Sequence, residues 1–498
     1  MDPTFSLVVD VGPSGASGPS GPSGASAAPE VVNSGGPGVA VADIDGDGLL
    51  DVVFIIPVGN SQLLLGDGTG QLQDSGLVLP SGSSGAAADI DLDGDIDLVI
   101  GRGLGADDVV LRNRGDGSFD TETLVAHDGD TYGLSFGDLD GDGDPDLFAA
   151  RFLETIDISQ LQLGLAAPTE SVVFENWGGT LVPLEGALPD DIQDAASYQG
   201  QLLDADGDGD LDIYLTNDFG MWLRSNRLLL NDGSAHFTQA PDCGCELSVF
   251  GMGTSVGDVD QDGDADLFTT NLGGPVLQLG EGDGTYYDAT LALGADLPPD
   301  AGGLASWGSA MQDLDGDGYP ELAVAFGQLF HASEGGADLE SYAADLGKSW
   351  VDAPDQPDVL LHNEGGQGFT DISEQAGFQD PGVTRDVAVG DLDRDGRPDL
   401  ITAGVPFLRT WRTGGGCGPG VTIRFDGLSG VGLRAEVQAG GLRSSTVLTP
   451  STTFSSSAEE LYLGLGGASA ADRIRLLRGA TVLAEWTDVA AGTVLDMR

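Results

Sequence analysis

The stretch GLSFGDLDGDGDPDLFAA at residues 133–150 decides the fold. Its centre, DLDGDGDPD from Asp138, is one of seven copies of a nonapeptide with the pattern D-x-D-x-D-G-x-x-(D/E). The others are DIDGDGLLD from Asp43, DIDLDGDID from Asp89, DADGDGDLD from Asp204, DVDQDGDAD from Asp258, DLDGDGYPE from Asp313 and DLDRDGRPD from Asp391. Successive starts lie 46, 49, 66, 54, 55 and 78 residues apart. Self-similarity at this spacing marks a repeat architecture in which one unit cannot bury its faces alone. A short strand of small apolar residues precedes the motif, as in GVAVA, GTSVG and DVAVG, and a β-rich run such as DVVFII, DLVIG or DIYLT follows it. A third strand, a Gly-rich turn and a fourth strand come next: LLLGDGTGQLQ, VLRNRGDGSFD, LLLNDGSAHFT, LLHNEGGQGFT. Four short antiparallel strands per unit are a propeller blade. The expected fold is all-β, a seven-bladed β-propeller.

The motif carries the chemistry of a cation loop. Position one is Asp43, Asp89, Asp138, Asp204, Asp258, Asp313 or Asp391; position three is Asp45, Asp91, Asp140, Asp206, Asp260, Asp315 or Asp393. Position five is Asp47, Asp93, Asp142, Asp208, Asp262, Asp317 or Asp395. Glycine at position six permits the reversal. Position seven varies freely through Leu49, Asp95, Asp144, Asp210, Asp264, Tyr319 and Arg397, as expected if only its carbonyl is a ligand. Position nine closes the shell with Asp51, Asp97, Asp146, Asp212, Asp266, Glu321 or Asp399. Clustered hard oxygen donors suit Ca2+, with up to seven ions, one per loop; Mg2+ resists the dehydration such a cage demands. An EF-hand is excluded, because strands flank these loops and a helix–loop–helix places its last ligand at about position 12.

The chain has 498 residues, 81 acidic and 19 basic, for a formal charge of −62. That balance argues against nucleic acid or an anionic membrane as partner. Seven divalent ions return +14 and leave −48, so calcium accounts for the clustering of acids and not for the acidity of the whole surface. The longest apolar runs fall well short of the ~20 residues of a membrane span. Three cysteines rule out a disulfide scaffold; Cys243 and Cys245 read better as a local bridge or idle thiols than as a soft-metal pair, and Cys417 stands alone. Met1–Asp10 shows no signal peptide, and the expectation is an exported chain whose leader has been trimmed. Residues 1–28 read as a Pro/Ser/Gly-rich disordered linker, 29–419 as the propeller, and 420–498, with short alternating strands, as a small β-sandwich packed beside it. Blade seven lacks a fourth strand of its own, for which a segment such as Glu30–Asn33 is the expected substitute.

The nonapeptides in their strand context resemble the FG-GAP/VCBS repeats of integrin α-subunit propellers and of bacterial surface proteins. LTNDFGMWLRSNRLLLNDGSAHFT (215–238) and GFTDISEQAGFQDPGVTRDVAVGDLDRDGRPDL (368–400) are similar to the cartilage acidic protein family and its bacterial relatives. Residues 430–477 resemble the ASPIC/UnbV domain that follows the propeller there. The resemblance implies an integrin α-like propeller in a secreted or cell-surface, calcium-binding, adhesion-type protein, here of bacterial type.

Function is expected on the face opposite the acidic loops, where long connections fall at 150–171, 183–199, 216–227, 239–252, 295–308 and 326–357. Candidate contacts to a protein or glycan are Trp222, Arg224, Arg227, Trp307, His331, Tyr342, Lys348 and Trp350. No nucleophile elbow, zinc-protease motif or phosphate loop appears, so a binding module is preferred to an enzyme with a site at the central opening, and to an inert scaffold.

Overall fold

A computed structural model describes residues 3–11, 36–103, 105–115, 117–124, 129–153, 170–192, 195–297, 305–327, 357–379, 382–404, 407–425, 430–449 and 451–497. Seven four-stranded antiparallel sheets form a β-propeller. In blade four, for example, the strands run Ala196–Leu203, Asp212–Asp218, Arg227–Asn231 and Phe237–Gln239 from the axis outward. The acidic nonapeptide is always the hairpin between the first and second strands. Inner strands are buried throughout because each blade is sandwiched between two others, whereas an outermost strand such as Phe119–Thr123 faces solvent. The core is therefore a set of inter-blade wedges: Val99, Val110, Leu134, Phe136 and Phe174 join blades two and three.

Ring closure differs from the sequence expectation. The fourth strand of blade seven is Pro3–Val11, paired antiparallel to Phe407–Gly415 from Pro3 opposite Gly415 to Val11 opposite Leu408. Its backbone pairs along an edge that the preceding strands leave open, and Phe5 packs on Phe378 with ring centroids 5.6 Å apart. From sequence alone these residues fall in the linker, because Pro3 and the low-complexity run that follows mask a short strand with no local partner. Glu30–Asn33 lies outside the described residues. The seam is sealed further by Val39, Phe54, Ala388, Ile401 and Leu408 from blades one and seven.

Residues 421–497 form two sheets, one of Glu460–Leu463, Val421–Phe425 and Val494–Met497, the other of Leu442–Val447, Arg434–Ala439, Ala470–Arg478 and Thr481–Ala490. Ile423, Val437, Leu461, Ile474 and Leu476 fill the space between them. This unit does not sit beside the propeller. It caps the acidic-loop face: Arg434 donates to Gly263 O, Arg478 lies 3.4 Å from Asp138, Gly466 N donates to Gly316 O at 2.8 Å, and the Tyr462 hydroxyl accepts Asp391 N at 2.8 Å.

The connection between Val447 and Glu460 enters the propeller axis. Ser455 Oγ accepts Val39 N at 2.7 Å, Ser456 bridges Val39 and Val41 of blade one, and Ala458 N donates to Val389 O of blade seven at 3.0 Å. At its tip Phe454 is 1% exposed among Tyr132, Tyr198 and Trp307. Glycines of the inner strands make room for the plug: a Cβ at Gly38 or Gly253 would meet Phe454 O or Thr453 Oγ1.

Candidate metal centres

Each acidic loop is built by its own aspartates. The position-five carboxylate accepts the position-seven N–H in all seven loops, at 2.8–3.1 Å. Position four takes a left-handed conformation in every copy, with φ of 72° at Gly46, 57° at Leu92, 77° at Gly141 and Gly207, 63° at Gln261, 76° at Gly316 and 57° at Arg394. Position six has φ between 81° and 100°, a region that glycine alone adopts without strain. These turns aim the carboxylates inward: oxygens of Asp43, Asp45 and Asp51 lie within 4.8 Å of one another, as do those of Asp89, Asp91 and Asp93, of Asp138, Asp140 and Asp146, and of Asp204, Asp206 and Asp212.

Position nine has a second duty that the motif does not announce. Its carboxylate ties the hairpin to the third strand: Asp212 accepts Ala205 N and Asn231 N, both at 2.9 Å, and Asp146 accepts Leu139 N and Asn176 N at 2.9 and 2.8 Å. The asparagine at the third strand's end then clamps two loops. Asn231 Nδ2 donates to Leu139 O in the loop of blade three and to Leu211 O in its own, at 2.8 and 3.0 Å. Asn113 and Asn176 do the same in blades two and three, and Asn363 reaches Val259 O. The recurring Asn of LRN, FEN, LLN and LHN was the available sequence signal. Asn231→Ala strands two buried carbonyls and is expected to lower stability by about 1–3 kcal/mol in urea unfolding.

Electrostatics test whether a cation fits. Buried oxygens of Asp43, Asp138 and Asp204 at position one, Asp144 at position seven and Asp315 at position three have no hydrogen-bond partner. Burial raises Asp212, Asp266 and Asp399 to about 8, and Asp146, Asp258 and Asp391 to about 7. Orphaned carboxylate oxygens that converge in a turn are what a hard divalent ion satisfies, so the donor set fits Ca2+. Loops two and seven carry counter-charges from their own blades, Arg112 Nη1 2.8 Å from Asp97 in one, and Arg412 on Asp393 with Arg397 Nη2 3.4 Å from Asp395 in the other. In loop five, Ser445 of the C-terminal sandwich donates to Asp258.

The proposed ligand-face residues separate. Trp222 and Arg224 lie on the connection between the second and third strands of blade four; Trp222 is half-buried, stacked on Phe219 at 5.9 Å and edge-on to Phe250 at 5.5 Å, beside exposed Met221. Arg227 is in the third strand rather than a loop and donates to Gln239. Trp307 is no loop residue either. It opens the inner strand of blade six, is 5% exposed, donates Nε1–H to Gly327 O at 3.0 Å, and is covered by the Arg385 guanidinium 4.0 Å from its ring. An aromatic side chain at that strand start turns to the axis, where the plug buries it. His331, Tyr342, Lys348 and Trp350 lie outside the described residues. Cys243 and Cys245 are disulfide-bonded, and Cys417 is a free thiol whose amide donates to Asp315 O at 2.6 Å.

Blades and loops together define the class, a β-propeller with acidic hairpin loops. The profile of the FG-GAP-like repeat matches residues 43–100, 89–149, 204–269 and 258–324. The chain is similar to cartilage acidic protein 1. It is 25% identical to the mouse protein over 340 residues, 62% of this chain and 46% of that one, and 25% identical to the human protein over 352 residues, 65% and 47%. The chain thus spans about half the length of the curated relatives it matches. Among solved structures, an Agrocybe aegerita lectin specific for non-reducing terminal N-acetylglucosamine overlaps 73% of this chain and 88% of its own at 17% identity, with a TM-score of 0.40. No helix among the described residues is long and apolar enough to cross a membrane.

Proposed function

We propose that this is an extracellular, calcium-binding recognition module. In this reading each loop holds Ca2+ through the carboxylates at positions one, three, five and nine and the carbonyl at position seven, and the ion screens their mutual repulsion. Its role is structural. A protein or glycan at a cell surface binds the opposite face. The observation that supports this division is the position of the C-terminal sandwich, which occupies the loop face at blades three to seven and sends its plug up the axis. The long connections are left on the open side, where a rigid scaffold presents variable loops to a partner. Trp222, half-buried against Phe219 and Phe250 with exposed Met221 beside it, is the described candidate anchor, and His331, Tyr342, Lys348 and Trp350 of the 326–357 connection are the others.

The test is an array of glycans and cell-surface proteins probed with the full chain in calcium and in chelator, repeated with Trp222→Ala/Arg224→Ala and with alanine across 326–357. Binding that requires calcium and falls at least tenfold in one of these variants is expected. A ligand that holds all variants equally well defeats the assignment of the face.

A further inference from the structure

Loop six closes differently from the other six. In five of the others the position-nine aspartate accepts one N–H from position two and a second from the end of the third strand, as Asp266 accepts Val259 N and Gly280 N at 2.7 and 2.9 Å, and Asp399 accepts Leu392 N and Thr413 N at 3.2 and 2.8 Å; in loop two Arg112 Nη1 donates to Asp97 at 2.8 Å beside Asn113 N. Glu321 keeps only the first of these, Leu314 N to Oε2 at 2.8 Å. One methylene longer, it turns Oε1 away from the strand end and towards the imidazole of His362, with Nδ1 at 3.0 Å. His362 stands one residue before the clamping Asn363.

The same nitrogen lies 4.0 Å from Asp315 Oδ2. Asp315 is 0% exposed, and this oxygen has no hydrogen-bond partner. Its other oxygen accepts Asp317 N at 3.0 Å, and both oxygens of Asp313 are taken by loop N–H groups. An imidazole nitrogen, a glutamate oxygen and an orphaned buried aspartate oxygen therefore converge within 4.8 Å.

A small divalent ion about 2.0–2.2 Å from nitrogen and oxygen donors holds them roughly 3 to 4 Å apart, which matches the 3.0 and 4.0 Å separations here. Calcium is satisfied by six to eight oxygens and gains nothing from an imidazole, whereas zinc-class ions favour one. We propose that loop six, with Asp315, Glu321 and His362 as ligands, is a site for a divalent transition ion of the zinc class, set among loops built for calcium. The proposal rests on the reading that the acidic loops hold cations, and adds that one of them has a different selectivity.

The experiment uses the full chain stripped with chelator, reloaded with millimolar calcium and titrated with Co2+, a zinc-class probe with a visible absorption band. About one equivalent of cobalt is expected to bind against excess calcium. Its affinity should fall at least about tenfold in His362→Gln, and also in Glu321→Asp, which restores the ordinary closing residue. Should either variant misfold, wild-type protein supplies a second readout: cobalt, and not calcium, should protect His362 from diethylpyrocarbonate, read by peptide mass spectrometry. No cobalt uptake above calcium, uptake indifferent to both folded variants, or equal protection by both ions overturns the proposal. Elemental analysis of the calcium-loaded chain separates the two ideas: absent calcium sinks the general reading, whereas bound calcium with no cobalt site sinks only this one.

Discussion

Chelation at about pH 8 is expected to lower the melting temperature of the full chain by roughly 20 °C. Each site held at a hundred times its dissociation constant adds about 2.7 kcal/mol to the folded state, so seven approach 20 kcal/mol on that order. With ~2 cal/mol/K of unfolding entropy per residue, a chain of 498 residues moves by about 1 °C for each kcal/mol. Calorimetry with calcium and with chelator measures the difference; melting curves that superimpose would remove the structural role of the ions.

The same experiment has a pH dependence of known sign. Burial lifts Asp212, Asp266 and Asp399 from 3.8 to about 8 in the folded chain. A carboxyl raised on folding contributes stability fully below its unfolded value, and that contribution is lost as pH climbs through its folded value. Metal-free protein is therefore expected to weaken steadily between about pH 4 and 8. Calcium takes the place of the protons, so the loaded chain should gain stability over the neutral part of that range and lose its ions towards acid. The two profiles should converge near about pH 5 and diverge towards pH 8.

Phe454→Ala is expected to cost about 3–5 kcal/mol, the range for an aromatic deleted from a packed core. Phe454 has ring neighbours Tyr198 at 5.9 Å, Tyr132 at 6.0 Å and Trp307 at 6.3 Å, contributed by three different blades. Its backbone N–H and the Thr452 hydroxyl also donate to Asp386, at 2.8 and 2.9 Å, and Asp386 is fully buried. A loosened tip leaves that carboxylate short of donors, which adds to the cavity cost. Because the plug joins sandwich to propeller, wild-type protein should unfold in one transition by both tryptophan fluorescence and far-UV signal, and the variant in two. An unchanged urea midpoint with a single transition would mean that the plug fills space without coupling the domains.

What the sequence disclosed was local. The acidic loop, its two flanking strands and the Gly-rich turn after the third strand are written within some forty residues of each other, and so seven blades and thirty-five candidate ligand positions could be read directly. What stayed hidden depends on partners far along the chain. Pro3–Val11 is a strand only because Phe407–Gly415 offers it an edge. The serines around Phe454 look like an ordinary polar loop until Val39 and Val389 supply hydrogen bonds to them. Trp307 looked like a surface anchor in a variable region, since nothing nearby tells that Arg385 and Phe454 will cover it. His362 carries no signal in its own stretch, LLHNEGGQGFT, because its contact is with Glu321, forty-one positions earlier.

The double closure of the ring also orders the chain's own synthesis. Pro3–Val11 is made before the rest of the propeller, yet that strand finds its edge only after Phe407–Gly415 has emerged. The plug, which hydrogen-bonds to blade one through Val39 and Val41 and to blade seven through Val389, is made later still. Any nascent or prematurely terminated product thus presents an open ring with a bare strand edge and an unfilled aromatic axis, surfaces that chaperones and proteases recognise. Only translation through the C-terminal sandwich conceals both, so the later-made domain vouches for the earlier-made strand.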